Sequence, residues 1–346
     1  MRSVLVTGGA GFIGANFVRF LLNSRRDNEI VNFDKLTYAG NPENLADVAQ
    51  DQRYTFVRGD ITDRTAVTEL FRREFDAVVH FAAETHVDRS IEDASPFLST
   101  NIIGTYCLLE AARGFPRIRF IYISTDEVYG SAPAGVIFNE ESPLDPRSPY
   151  AASKASAEHF VTAYANTHGI SSVILRCTNN FGPFQFPEKL IPLMIANASE
   201  DKPLPIYGDG MQERDWLFVE DYCRAIALAL EKAAPGSVYN VSSGDSQPNL
   251  KIVSTILRFL GKSDSLIQYV QDRPGHDRRY ALDSSRIRRE LGWSPRLSFE
   301  DGLRKTIEWY RANSEWLDHA RSGEYRNYYQ KHYDRRSETF RSHVDS

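Results

Sequence analysis

The chain has 346 residues, 42% of them hydrophobic and 25% charged, which is ordinary globular composition for one large or two modest domains and excludes a disordered chain. A formal net charge of −5, with lysine and arginine spread along the chain, leaves no footprint for nucleic acid or an anionic membrane. Cys107, Cys177 and Cys223 form no C-x-x-C pair and the eight histidines include no H-E-x-x-H spacing, so neither a disulfide framework nor a metal site is expected.

Met1 leads within three residues into Val4-Leu5-Val6, which leaves no room for a signal peptide, and no apolar run reaches membrane-spanning length. A cytoplasmic location is the expectation. In chain order, short β-branched or aromatic runs at 3–6, 29–33, 54–58, 77–81, 119–123 and 172–176 read as strands. Amphipathic stretches at 13–24, 64–74, 96–114 and 150–168 read as the helices between them. Such alternation predicts an α/β fold with a doubly wound parallel Rossmann sheet. After Arg176 the texture changes: 179–214 holds five of the 16 prolines around a short apolar helix at 189–200. A helix at 221–232 and a strand at 237–241 resume the sheet, and a further helix and a strand near 266–270 follow Asn249. The predicted division is therefore a dinucleotide-binding domain over 1–178 and about 215–243, and a smaller α/β substrate domain over about 179–214 and 244–320. A polar, tyrosine-rich tail occupies 321–346.

The opening "VLVTGGAGFIG" sets Gly8, Gly9, Gly11 and Gly14 between the first strand and the first helix. Glycines there let backbone approach a pyrophosphate at a helix N-terminus, whose free N–H groups and dipole bind anions. The second strand ends at Asp34, 20 residues after Gly14. A carboxylate there accepts from both ribose hydroxyls and repels a 2′-phosphate, so NAD is favoured over NADP. Asp60, ending the third strand, is positioned to bond adenine or to cap the helix starting near Arg64.

In "SPYAASKASAEHF", Tyr150 and Lys154 stand four residues apart and stack on one helix face. A nearby ammonium, together with a positive nicotinamide ring, favours the phenolate and is expected to lower the tyrosine pKa, making Tyr150 a base for a sugar hydroxyl. "ISTDEVYG" raises a different question. Consecutive strand residues face opposite sides, so Asp126 and Glu127 share a site only if the strand ends before them. Two coupled carboxyls in a partly desolvated site separate into one acid and one base.

With the TGGAGFIG opening, the Asp after strand two, the Ser124-Thr125 strand end and Y-x-x-x-K, the chain resembles the extended short-chain dehydrogenase/reductase family. "FAAETHVDRSI", "STDEVYG", "RCTNNFGPFQFPEKLIP", "RDWLFVED" and "DRPGHDRRYALD" are similar to its nucleotide-sugar 4,6-dehydratases from Val4 to about Tyr310. The resemblance implies a homodimeric NAD enzyme that dehydrates dTDP-glucose for deoxysugar synthesis, paired through helices within 96–114 and 150–168. Tyr106, Leu108 and Leu109 suit that interface or a core face equally. It makes Tyr150 the base at the C4 hydroxyl, with Thr125 and Lys154 assisting, Glu127 the base at C5 and Asp126 the acid at the C6 oxygen. Around the cofactor it sets Gly8, Gly11, Phe12, Ile13, Gly14, Asp34, Lys35, Thr37, Asp60, Ile61, Phe81, Ala82, Ala83, Thr85, Thr100, Tyr150, Lys154 and Asn180. Around the nucleotide sugar it sets Thr85, Thr125, Asn179, Glu188, Lys189, Leu190, Pro205, Ile206, Tyr207, Arg214, Asn249, Arg273, His276 and Asp277. Arg214, Arg273 and Lys189 suit a diphosphate, and Tyr207 suits a base ring.

Five features depart from the pattern: Thr85 and Thr178 for Ser, Phe181 and Phe184 for Tyr, and "NVSSG" at 240–244, which bears on dTDP against UDP. A nucleotide-sugar 4-epimerase would use the same cofactor and Tyr150 but needs no carboxylate pair. An NAD-binding regulator without turnover would have no use for Thr125, Asp126, Glu127, Tyr150 and Lys154 together.

Overall fold

The computed structural model describes residues 3–322 apart from 25, 26 and 274; the tyrosine-rich stretch 324–333 lies outside the described residues. Strands β1 (Ser3–Thr7), β2 (Glu29–Asp34), β3 (Tyr54–Arg58), β4 (Ala77–His80), β5 (Arg119–Thr125) and β6 (Ser171–Cys177) come first. They are followed by β7 (Asn179–Phe181), β8 (Leu204–Tyr207), β9 (Glu213–Phe218), β10 (Ser237–Val241), β11 (Ser246–Pro248) and β12 (Ile267–Val270). Seven of them make one sheet in the order β10-β6-β5-β4-β1-β2-β3, every pair parallel. This is the doubly wound Rossmann sheet that the strand-helix alternation predicts.

The period-2 alternation of each strand explains the two layers of helices. In β1, Val4 and Val6 point into a core with α1 (Phe12–Ser24), whereas Leu5 points into the opposite core with α2 (Arg64–Phe71). Then come α3 (Val87–Glu92), the single turn α4 (Ser95–Phe97), α5 (Thr105–Ala112) and α6 (Pro149–His168). Leu108 of α5 and Val161 of α6 join the Leu5 core.

A three-stranded sheet, β11-β9-β7, and a two-stranded sheet, β12-β8, lie beside the large one. The remaining helices are α7 (Leu190–Ser199), α8 (Val219–Lys232), α9 (Asn249–Leu260), α10 (Ser285–Leu291), α11 (Phe299–Ala312) and α12 (Ser314–Ala320). Helix α8 returns to the large sheet, with Tyr222 and Ile226 in the Val4 core. Ile195, Ile206, Ile256, Ile307 and Trp316 instead share a separate core built from α7, β8, α9, α11 and α12.

The helix expected over 96–114 is not one regular helix. After Ser95–Phe97 the chain widens into a π-helix over Leu98–Gly104 before α5 begins. Asn101 uses its side chain on the Glu84 backbone and on Ser153, and the Thr105 hydroxyl donates to the Asn101 carbonyl. Side chains inserted into the ladder in this way favour π geometry at functional sites. Leu108 and Leu109 are wholly buried core residues, which removes them from the expected dimer face.

Candidate active site

The carboxyl ends of the parallel strands open into a cleft of about 300 Å³. Open α/β sheets bind ligands in this crevice. Gly8 has φ +71°, and a Cβ there would sit 2.5 Å from the Ala82 nitrogen. A Cβ on Gly14 would lie 2.3 Å from the Gly8 carbonyl oxygen. In this chain those two glycines are therefore required first by backbone packed on backbone. That packing brings the N-terminus of α1 to the cleft wall through Gly8, Gly11, Phe12, Ile13 and Gly14.

Asp34 closes β2 with both oxygens engaged: Ala10 N donates to Oδ2 at 2.9 Å and Leu36 N to Oδ1 at 2.8 Å. Burial raises its pKa and these two N–H groups offset part of the rise. Leu36 takes a left-handed φ of 59°, a strained conformation for a side-chain-bearing residue, directly beside this carboxylate. Asp60 pairs with Lys35 at 2.6 Å and accepts from Thr62 N at 2.9 Å. The N-cap of α2 is Asp63, which accepts from Thr65 N and Ala66 N, so capping does not explain Asp60. Thr37, Ile61, Phe81, Ala82, Ala83, Thr85, Thr100 and Asn180 complete this wall, together with Tyr150 and Lys154.

Strand β5 ends at Thr125, and a 3₁₀ turn over Asp126–Tyr129 follows at once. Thr125 caps that turn, accepting from Glu127 N at 3.3 Å, and its hydroxyl donates to Asp126 Oδ1 at 3.2 Å. The break in alternation turns both carboxyls to the cleft. Asp126 is raised well above the usual carboxyl range by burial and then by repulsion from Glu127, and its Oδ2 is a buried oxygen without a partner. Burial also raises Glu127, but Arg273, Arg214 and Lys189 pull it back down. Arg214 acts on both carboxyls, whereas Arg273 and Lys189 act on Glu127, which separates the two adjacent groups.

Helix α6 starts with Ser148 capping Ala151 N at 3.1 Å and Pro149 in its first turn. The Lys154 ammonium donates to the Ile123 carbonyl at 2.7 Å and lies 4.3 Å from the Tyr122 ring centroid. Burial brings it down to about 8. The Tyr150 phenol is raised well above 10 by burial and by Glu127, with the Thr125 hydroxyl offsetting part of the rise. In the chain without cofactor, burial outweighs any help from Lys154, whose ammonium is committed to Ile123; the expected lowering needs the nicotinamide charge as well.

Asn179, Glu188 and Lys189 also line the cleft. Glu188 is raised to about 6 by burial, and Lys189 donates to the Thr85 carbonyl at 3.1 Å. The other residues expected at the nucleotide sugar stand outside the cleft lining. Leu190 opens α7, and Pro205, Ile206 and Tyr207 belong to β8, with the Ile206 side chain in the core. Arg214 lies over the Tyr280 ring and donates to the Glu213 and Asp277 carbonyls, each at 2.8 Å. His276 pairs with Asp272 at 2.6 Å, and the Asp277 carboxylate accepts from Tyr280. Asn249 begins α9 with its side-chain oxygen buried and unpartnered.

The departure at 242–244 has a local explanation. Ser242 Oγ, Ser243 N and Gly244 N all donate to the Asp215 carboxylate, at 2.9, 3.0 and 2.7 Å, and Thr178 Oγ1 joins them at 3.0 Å. Those residues hold a buried anion of the chain itself. Phe181 is core, and Phe184 has φ 66° with Arg19 stacked 4.0 Å over its ring.

Ser124 of the expected strand end and Glu84 also line the cleft. Cys177 and Gln185 line it too, and were not singled out although both lie in RCTNNFGPFQFPEKLIP; Asn32, whose oxygen receives Gly9 N at 3.0 Å, carries no motif. Among the described residues no helix is long and apolar enough to cross a membrane, and no group of three or more His, Cys, Asp or Glu could hold a metal ion.

The family model for GDP-mannose 4,6 dehydratase matches residues 5–306. The chain is 49% identical to the dTDP-glucose 4,6-dehydratase of Neisseria meningitidis, covering 94% of this chain and 98% of that protein. The chain belongs to the dTDP-glucose 4,6-dehydratase family. Solved members of that family share its fold closely. The Streptomyces venezuelae dTDP-glucose 4,6-dehydratase, solved with NAD bound, superposes with a TM-score of 0.89 at 48% identity, covering 92% of this chain and 99% of that one. The Bacillus anthracis dTDP-glucose 4,6-dehydratase, also in complex with NAD, gives 0.87 at 45% identity, covering 92% of this chain and all of that one.

Proposed function

We propose that this chain is an NAD-dependent hydro-lyase that converts dTDP-glucose to dTDP-4-keto-6-deoxyglucose, the first committed chemistry of a deoxysugar, in the cytoplasm. The observation that carries the reading is the Asp126-Glu127 pair at the end of β5, in one cleft with Tyr150 and Lys154. A 4-epimerase has no use for such a pair. The cofactor reading fits the residues present: a glycine turn at the α1 N-terminus, the Asp34 carboxyl in the cleft lining at the end of β2, and buried side-chain oxygens of Asn179 and Asn180 without partners.

Bound NAD supplies a hydride acceptor for C4 and returns the same hydride to C6. Tyr150 takes the C4 hydroxyl proton, with Thr125 bonding the same oxygen. Burial disfavours its phenolate in the free chain, and the positive charge of a bound nicotinamide would favour the phenolate and let Tyr150 act as base near neutral pH. Glu127, held nearer ionisation by Arg273, Arg214 and Lys189, removes the C5 proton that the 4-ketone acidifies. Asp126, kept protonated by burial, gives its proton to the departing C6 hydroxyl, which leaves as water; as hydride returns to C6, Glu127 gives a proton back to C5, and the proton taken by Tyr150 restores Asp126 by way of solvent.

Residues 1–178 and about 215–243 form the cofactor domain in this reading, and about 179–214 and 244–320 the nucleotide-sugar domain. Homodimerisation is supported by Leu98 and Ile103 on the π-helix and Phe160 on the adjoining α6, which are 54, 50 and 41% exposed. Large apolar side chains gathered on two packed helices favour a covering partner. The test is a panel of dTDP-, UDP- and GDP-hexoses with product identification. Alkali-induced absorbance of a 4-keto sugar from dTDP-glucose supports the reading; a galactose product makes the chain an epimerase.

A further inference from the structure

Asp88 joins the two halves that flank the cleft. It stands on α3, which follows β4 of the large sheet, and is 4% exposed. Its Oδ2 accepts from the Tyr207 hydroxyl at 3.0 Å, and its Oδ1 pairs with Arg273 Nη1 at 3.1 Å. Those partners lie 119 and 185 residues away in sequence, at the end of β8 and just beyond β12, its strand neighbour. One carboxylate of the large-sheet half thus gathers two side chains of the other half. Three residues earlier in the chain, the Thr85 carbonyl receives Lys189.

A buried carboxylate needs donors, and these two satisfy one oxygen each. Each bond also fixes its donor. A tyrosine hydroxyl held at 3.0 Å cannot swing away, and the Tyr207 ring stands edge-to-face against His276, centroids 6.1 Å apart. A guanidinium tethered through Nη1 is held in one plane, with the other donors of its fork left for an anion. Arg273 keeps 18% of its side chain exposed, whereas Asp88 is buried. A pure tie between the halves would not require both donors to be groups suited to a nucleoside diphosphate.

We propose that Asp88 is the positioning residue of the nucleotide subsite, orienting the Tyr207 ring and the Arg273 guanidinium toward the base and diphosphate of one bound nucleotide. The proposal rests on the nucleotide-sugar reading above. Losing the charge-assisted bond and the tyrosine anchor corresponds to about tenfold in affinity or more.

The experiment compares full-length wild type with Asp88→Ala, Asp88→Asn, Tyr207→Phe and the Asp88→Ala/Tyr207→Phe double variant. Binding of dTDP, UDP and GDP is measured by calorimetry, steady-state turnover with dTDP-glucose, and retained NAD after purification. The expected result is a rise of about tenfold in KM and in the Kd of the preferred nucleotide for Asp88→Ala, a smaller rise for the isosteric Asp88→Asn, and kcat changed far less than KM. Tyr207→Phe should add little in the Asp88→Ala background, because the two act through one bond. Unchanged nucleotide affinity in both Asp88 variants, with only stability or NAD retention reduced, overturns the proposal in favour of a structural tie. Wild type that binds none of the three nucleotides sinks the nucleotide-sugar reading itself, and the proposal with it.

Discussion

The Lys154 ammonium and the Ile123 carbonyl share a 2.7 Å hydrogen bond that fixes helix α6 to the strand whose end carries Thr125, Asp126 and Glu127. It is one of the ties that set Tyr150 on α6 relative to the Asp126-Glu127 pair. Lys154→Met should therefore lower kcat by about 10²–10⁴, the range of a lost acid-base contribution, without unfolding the chain. Its pH dependence has a definite sign. Burial lowers this ammonium to about 8, so the charged form is complete well below that pH and is lost as pH rises through it. The wild-type rate should fall above about pH 8; a flat profile to pH 10 would separate the ammonium from catalysis.

Asp34 receives two backbone N–H groups where β2 meets the cleft, beside the strained Leu36. NAD retained through purification should be lost in Asp34→Ala, with discrimination against NADP falling by an order of magnitude or so. Isolation of the wild type with NADP would contradict this.

Asp126 has its pKa raised in the folded state, so the protonated form is the favoured one there. Its contribution to stability is complete below the unfolded carboxyl value and declines as pH rises through the folded one. Asp126→Asn should thus match wild type in thermal stability near pH 4 and exceed it at pH 8. It should also slow elimination more than C4 oxidation, seen as NADH absorbance accumulating in single turnover. A variant less stable than wild type at pH 8 would contradict the burial argument.

Arg176 on β6 and Glu158 on α6 form a buried ion pair at 2.6 Å, and Arg176 Nη1 also donates to Tyr129 of the turn after β5, at 2.6 Å. Removing one partner leaves a buried charge, so Glu158→Gln should cost about 3–5 kcal/mol in denaturant unfolding. Replacing both with apolar residues should recover most of that loss.

How far the sequence carried depended on whether a signal was local. The strand end at Thr125 was legible because alternation forbids two adjacent carboxyls on one strand face, and the glycine turn and Tyr150/Lys154 spacing were equally local. The π-helix at Leu98–Gly104 was not, since the Asn101 side chain within it bonds Glu84 and Ser153, 17 and 52 residues away. The role of 242–244 was hidden for the same reason: its partner, Asp215, is 27 residues distant from Ser242. The raised Tyr150 pKa follows from burial, which spacing alone does not report.

The central claim is that the carboxylate pair serves elimination within one trapped sugar. The measurement that bears on it most directly is the fate of label in dTDP-glucose deuterated at C4, with a parallel reaction of unlabelled sugar in deuterated water. Deuterium is expected at C6 of the same sugar molecule from the first and at C5 from the second, because Glu127 exchanges its proton with solvent while the hydride never leaves the site. Deuterium retained at C4 of a galactose product would contradict it and leave Asp126 and Glu127 without a catalytic role.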